Sequence, residues 1–260
     1  MSDLTGRRVV ITGGGRGIGR VIADRFAAAG ACLAVGVRDA GAVSAVRADF
    51  QATGHDVLAA PCDVTEEDSV MAFADKIIGA FGGVDVVVAN AGVAGPIAPL
   101  HKINTADWRH CIDADLNGVY LTFRPFIPEM IKVHSGNLIA ISSVTGKRPL
   151  ANRTPYAAAK MGVIGLIRSL SLELGPYGIR ANTVCPGSVD GPRMDAVFEA
   201  AAAADGTTPE QARAEHTRPA ALRRLVEAGE VADLCVFLAG DAASAITGED
   251  LNVSAGSVMY

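Results

Sequence analysis

Five cysteines and five histidines are spread through the 260 residues, and neither set makes a site. Cys32, Cys62, Cys111, Cys185 and Cys235 are odd in number, lie far apart and form no CxxC pair. That pattern fits free thiols in a reducing compartment and argues against a disulfide framework or a zinc site. The histidines lack ligand spacing, so no metal is expected. Basic clusters are missing too: 23 Lys and Arg against 28 Asp and Glu leave a net charge of −5. Nucleic acid and anionic membrane surfaces are therefore not expected partners. No 18-residue apolar stretch is free of charge, which argues against a membrane span. The opening Met1-Ser2-Asp3-Leu4-Thr5-Gly6-Arg7-Arg8 has no apolar signal-peptide core. A cytoplasmic protein is the expectation. With no Pro/Ser linker, low-complexity tail or domain-sized repeat, residues 1–260 read as a single domain.

What the chain does have is apolar residues, at 50%, and glycine, at 29 positions or about 11% against an average near 7%. No G-X-Y period accompanies the glycines, so they belong in turns and at close backbone approaches. Short β-branched runs alternate with helical periods. Strands are expected at 8–12, 32–35, 57–60, 84–89, 138–142, 180–184 and 250–253. Helices are expected over 17–29, 40–53, 66–81 with Thr65 as N-cap, 104–133, 154–175 and 229–239. Pro125 and Pro128 must bend or split the long 104–133 helix. The alternation, with strands apolar on both faces, predicts an α/β fold. Its parallel sheet of about seven strands is covered by helices on both faces. Residues 190–228 break the rhythm and read as an insertion, either a substrate lid or a structural helical pair.

The first strand runs straight into Thr12-Gly13-Gly14-Gly15-Arg16-Gly17-Ile18-Gly19. A strand, a glycine turn and a helix start in that order suit a dinucleotide: the glycines admit the diphosphate and the helix offers free N–H groups. Gly13, Gly15, Arg16, Gly17, Ile18 and Gly19 are the expected binding loop. The second strand decides the cofactor. An acidic residue at its end would favour NAD, but Val37 stands there, followed by Arg38. Arg16 and Arg38 together suit the 2′-phosphate of NADP(H), with NAD(H) as the alternative. Asp39 could instead pair with Arg38 or contact a ribose, and both arginines could be plain surface charges.

Tyr156-Ala157-Ala158-Ala159-Lys160 sets Tyr and Lys at i and i+4 on one helix face, and Ser143 precedes Tyr156 by thirteen residues. Thr-Gly-x-x-x-Gly-x-Gly with this Ser/Tyr-x-x-x-Lys set resembles the short-chain dehydrogenase/reductase family, and the resemblance runs over nearly the whole chain. It implies a Rossmann-like doubly wound sheet and transfer of a hydride between the nicotinamide and a secondary alcohol or carbonyl. By that resemblance Asn90-Ala91-Gly92 steadies the sheet and lines the adenosine side, and Asp63, followed by Val64, bonds the adenine. Pro186, Gly187 and Val189 lie beside the nicotinamide. Free tyrosine, with a pKa near 10, is a poor acid or base at pH 7. Lys160 and an oxidised nicotinamide are cations that lower it. Tyr156 then acts as general acid or base, Ser143 holds the substrate oxygen and Lys160 bonds the nicotinamide ribose.

The chain departs from the family at two places. Asp115 stands where the family has an Asn that joins a proton relay to the Lys. Asp115 is therefore expected either in the relay, paired with Lys160, or in a structural role. Asn117, about 200° round the helix, cannot substitute. Gly191 stands where the family often has Thr. The substrate should be met by 93–100, 144–153 and roughly 188–219, which carry Arg148, Arg153 and Arg193. Arg153 is the one expected to face in, towards an anionic or polyhydroxylated substrate; otherwise all three are solvated. A 3-oxoacyl-thioester reductase and a sugar or polyol dehydrogenase both stay open, as does a non-catalytic NADP-binding sensor or scaffold. The resemblance also implies a homotetramer or homodimer through the 104–133 and 154–175 helices.

Overall fold

The computed structural model describes residues 3–260. Its strands form where the aliphatic runs lie: β1 (Arg8–Thr12), β2 (Cys32–Val37), β3 (Val57–Pro61), β4 (Val86–Ala89), β5 (Gly136–Ile141), β6 (Ile179–Pro186) and β7 (Asp250–Val253). All seven pair in parallel, in the order β3-β2-β1-β4-β5-β6-β7. Parallel neighbours need crossovers rather than hairpins. These are supplied by α1 (Gly17–Ala28), α2 (Val43–Ala52), α3 (Glu67–Phe81), α4 (Thr105–Ile112), α5 (Gly118–Phe123), α6 (Ile127–Val133), α7 (Val144–Lys147), α8 (Thr154–Leu174), α9 (Pro192–Asp205), α10 (Pro209–Thr217) and α11 (Ala228–Ala239).

Alternate strand residues point to opposite faces, and here both faces are dry. Val9 and Ile11 share one core with Phe26 of α1, Phe50 of α2 and Cys235 of α11. Val10 shares the other with Phe73 of α3, Phe123 of α5, Met130 of α6 and Ile167 of α8. Burial on both sides is why the strands read as unbroken apolar runs. The strand order reverses between β1 and β4, which leaves a crevice beyond their carboxyl ends, the place where open α/β sheets bind ligands.

Four expectations are corrected. The 104–133 helix is three helices, and the first break is a π turn over Asp113–Asn117 with no proline in it. Pro125 does lie in the second break, between α5 and α6, but Pro128 sits in the first turn of α6, where no N–H is needed, so it opens that helix rather than bending it. Thr65 does not cap α3; Glu66 takes the N-cap position, and Thr65 donates from both N and Oγ1 to Asp63 Oδ1 at 3.0 and 2.8 Å. The β4 strand starts at Val86 rather than at Val84, and just before it the Asp85 carboxylate receives the Arg8 backbone N–H at 2.8 Å and its guanidinium at 2.7 and 2.9 Å.

Candidate active site

At the crevice, α1 begins with its first turn uncapped. Arg16 takes the N-cap position with an extended backbone and offers no side-chain bond to the first-turn N–H groups. Those orphan donors and the dipole end are what an anion needs. The helix also comes in unusually close. A Cβ on Gly19 would lie 2.3 Å from both the Gly13 carbonyl oxygen and Asn90 Nδ2, so no other residue fits there. Asn90 ties the two loops together, donating from Nδ2 to the Thr12 and Gly13 carbonyls at 3.0 and 3.3 Å. Thr12 Oγ1 in turn accepts the N–H groups of Asn90 and Ala91 at 3.3 and 3.4 Å.

Around this loop the other expected cofactor residues take varied places. Arg16 and Arg38 are exposed and make no ion pair among the described residues, while Asp39 is used to accept Gly41 N–H at 2.9 Å. Ile18 is half-buried on α1, Gly17 is the first residue of that helix, and Gly15 lies in the loop itself. Asp63 is half-buried at the end of β3, but Val64 points into the core against Gly118. Pro186 ends β6, Gly187 donates its N–H to Val253, and Val189 bridges to Val226. The uncapped helix start, the close glycine packing and the two unpaired guanidiniums fit a dinucleotide with its diphosphate on α1.

The groups expected to handle the proton lie on or beside α7, α8 and the π turn. Ser143 is buried at the end of β5 and caps the one-turn α7, its Oγ accepting Thr145 N–H at 3.0 Å. With a lone pair engaged there, the Ser143 O–H is left as a donor. The α7 turn lies flat on α8: a Cβ on Gly146 would come within 2.8 Å of the Lys160 backbone. Lys160 Nζ donates to the Ile141 carbonyl at 3.1 Å and pairs with Asp115 Oδ1 at 3.2 Å. Both side chains are almost wholly buried, at 6% and 1% exposure. Burial opposes the Lys160 charge, but the neighbouring acidic groups, Asp115 first and then Tyr156 and Cys111, together outweigh it, and the ammonium titrates above its usual value. Asp115 Oδ1 also accepts Val93 N–H at 3.1 Å, and its Oδ2 accepts the Cys111 thiol at 3.6 Å. Burial, reinforced by Asp115, pushes that thiol up to about 12, so Cys111 stays protonated.

Asn117 is exposed and bonds Asp113, as the helix geometry required. Arg153 lies against Tyr156, its Cζ 4.6 Å from the ring centroid, and donates from Nη2 to the Ala94 carbonyl at 2.8 Å. Its Nε is buried with no protein partner. Arg148 and Arg193 are both exposed. Gly191 has φ 143° at the start of α9, a backbone that a β-branched Thr would not adopt.

Three features were not anticipated from the sequence. Lys147, at the end of α7, reaches β7 and donates to Asn252 Oδ1 at 3.0 Å and the Asp250 carbonyl at 2.9 Å, and it pairs with the Asp250 carboxylate at 2.7 Å. Ser188 Oγ and His216 Nε2 hydrogen-bond at 2.8 Å, and Asp190 pairs with Arg213, so α10 is clasped to the segment after β6. Cys111 is buried beside Asp115. The first two join residues far apart in the chain; the Cys111–Asp115 contact spans one helical turn, a spacing visible in the sequence.

Comparison with known proteins agrees with this geometry. Residues 13–257 match the family model described as enoyl-(acyl carrier protein) reductase. The chain is 39% identical over 257 residues to cis-4-hydroxycyclohexanecarboxylate dehydrogenase of Sinomonas cyclohexanicum, covering 98% of each. Among solved structures, actinorhodin polyketide ketoreductase with NADPH superposes with a TM-score of 0.92 at 29% identity, over 100% of both chains. NAD+-bound xylitol dehydrogenase gives 0.90 at 26% identity, covering 97% of this chain and 99% of the other. The chain belongs to the short-chain dehydrogenase/reductase family, and it is an NAD(P)-dependent oxidoreductase that interconverts secondary alcohols and carbonyls.

Proposed function

We propose that this enzyme interconverts a carboxylate-bearing secondary alcohol and its ketone with NADP(H), using Tyr156 as the proton carrier. One observation carries the reading: Ser143 caps α7 just past β5, α7 lies on α8, and there Lys160 Nζ and Arg153 Cζ stand 5.6 and 4.6 Å from the Tyr156 ring. Bound NADP(H) supplies or accepts the hydride. Gly13 to Gly19 hold its diphosphate, Arg16 and Arg38 take the 2′-phosphate, and Asp63, Val64 and Asn90 to Gly92 line the adenosine. Pro186, Gly187 and Val189 flank the nicotinamide. Ser143 donates to the substrate oxygen, and Tyr156 gives that oxygen a proton in reduction or removes one in oxidation. Lys160 holds the ribose, and Asp115 fixes Lys160 by direct contact. Arg153 meets a substrate anion; the relative from Sinomonas bears the name of a ring alcohol with a carboxylate, which supports that class.

The α9–α10 pair acts as a lid, clasped by Ser188–His216 and Asp190–Arg213. Apolar side chains left exposed on α5 and α8, among them Tyr120, Met161 and Leu172, support a homo-oligomer through those helices. Five free cysteines support a reducing, cytoplasmic setting, and among the described residues no helix is long and apolar enough to cross a membrane.

The test is turnover on a panel of neutral and carboxylated secondary alcohols and ketones, with NADP and NAD compared. Tyr156→Phe should lose about 10²–10⁴-fold in kcat while still binding cofactor. Arg153→Ala should raise KM for the acids far more than for the neutral alcohols. Tight cofactor binding without turnover on any member would favour a sensor or scaffold instead.

A further inference from the structure

Lys160 is the cation expected to favour the Tyr156 phenolate, yet its charge is already matched. Asp115 lies 3.2 Å from its Nζ with both groups out of water, and the pair presents little net charge to the phenol. A second cation stands nearer the ring. The Arg153 Cζ is 4.6 Å from the Tyr156 centroid, against 5.6 Å for Lys160 Nζ. Arg153 has no carboxylate within ion-pairing distance among the described residues; its one hydrogen bond goes to the Ala94 carbonyl. An arginine stays charged at any working pH.

We infer that Arg153, rather than Lys160 alone, is the positioning residue whose charge stabilises the Tyr156 phenolate, and that it offsets the negative charge Asp115 brings into the site. The inference rests on Tyr156 being the proton carrier, as proposed above. The local structure holds Arg153 to this task. The loop after β4 is clipped to the start of α8 by Ala98 N–H donating to Asn152 O at 3.0 Å and by Arg153 itself on Ala94 O. A Cβ on Gly95 would stand 3.7 Å from the Tyr156 Cβ, so the same loop packs on the tyrosine. The charged and titratable groups facing this corner are Arg153 at the N-cap of α8, Lys160 from α8, Asp115 from the π turn and Cys111 from α4, the last kept neutral by burial. The α7 turn contributes Ser143, while its Lys147 turns away to Asp250.

Arg153 and Asp115 carry opposite charges beside the phenol, so their removal acts on it in opposite directions. An opposite charge within about 4–6 Å shifts an acid by about one to three pH units. Removing Arg153 should therefore push the rising limb of alcohol oxidation to higher pH, and removing the Asp115 charge should pull it lower.

The experiment is the pH dependence of kcat/KM at saturating cofactor for a neutral secondary alcohol, which removes any carboxylate contact with Arg153 from the result. Arg153→Gln deletes the charge while keeping an amide that can donate to Ala94 O. The expected result is a limb raised by about one unit or more in Arg153→Gln, kept near its wild-type place in Arg153→Lys, and lowered in Asp115→Asn. Arg153→Gln/Asp115→Asn should return towards the wild type. Phenolate absorbance in the ultraviolet, taken as the difference between each protein and its Tyr156→Phe partner, should move the same way without any turnover. A limb and a phenolate titration unmoved in Arg153→Gln overturn the inference. Full turnover in Tyr156→Phe would overturn the proton-carrier reading instead, and the absorbance titration keeps the two failures apart.

Discussion

A single methyl group at Gly92 tests how tightly the buried charges are fitted. The Gly92 backbone has no unusual torsion, so alanine meets no local strain, and all its cost must come from what the Cβ touches. That Cβ would stand 2.3 Å from Asp115 Oδ1, and 3.6 Å from Lys160 Nζ. Real Cβ atoms keep at least 3.0 Å, so the carboxylate must retreat by about 0.7 Å or more. Its Oδ1 bonds to Val93 N–H and Lys160, at 3.1 and 3.2 Å, would then stretch past hydrogen-bond range. Deleting one partner of a buried pair costs about 3–5 kcal/mol; displacing it should cost somewhat less, about 2–4 kcal/mol. At about 2–4 °C per kcal/mol for a domain of this size, Tm should fall by about 5–15 °C. Thermal unfolding of Gly92→Ala, Asp115→Ala and the double variant closes the cycle. In the Asp115→Ala background the carboxylate is gone, and the added methyl should cost under about 1 kcal/mol, a coupling of about 1.5–3 kcal/mol. Equal destabilisation by Gly92→Ala in both backgrounds would refute the argument.

Other perturbations read different parts of the molecule. Arg38→Ala should raise KM for NADP about ten- to a hundredfold, the worth of one or two charged hydrogen bonds, and leave KM for NAD nearly unchanged; steady-state kinetics with both cofactors check this. Asp85 is half-buried, and burial opposes its charge, but the Arg8 hydrogen bonds outweigh that and hold its carboxyl below the usual range. A depressed folded value means the stabilisation is complete above about pH 4 and is lost as pH falls through the folded value. Urea titrations should thus show Asp85→Asn less stable by about 1–3 kcal/mol at pH 7, with the gap to wild type closing in acid. Arg213→Ala removes one half of the clasp on α10; limited proteolysis should then cut within 192–217 sooner, and substrate KM should rise several-fold with kcat less affected.

The sheet was legible because its strands are buried on both faces, so β1, β4 and β5 declare themselves as runs such as Val86-Val87-Val88. Tyr156, Lys160 and the glycine loop were legible because each lies within one element, where spacing is geometry. The π turn was not: proline was the only breaker in sight, whereas the helix is deformed where Asp115 is drawn to Lys160 and where Gly118 packs on Val64, contacts made across the fold. Thr65 had the chemistry of a cap, but Asp63, two residues before it, competes for the same hydroxyl and backbone N–H. The direct Asp115–Lys160 contact was one of two readings the sequence allowed, and only the packing of α4 and the π turn on α8 decides for it.

Lys147 gives the Ser143 hydroxyl a dependence in time as well as in space. Ser143 caps a helix of four residues, too short to hold its own shape in water, and the far end of that helix is fastened to Asp250, 103 positions later in the chain. On a ribosome adding about 5–20 residues per second, roughly 5–20 s pass between the two. Through that interval α7 has α8 to lie on but lacks its tie to β7. The turn that carries the serine is thus among the last parts of the fold to be fastened, and β7 is the strand that fastens it.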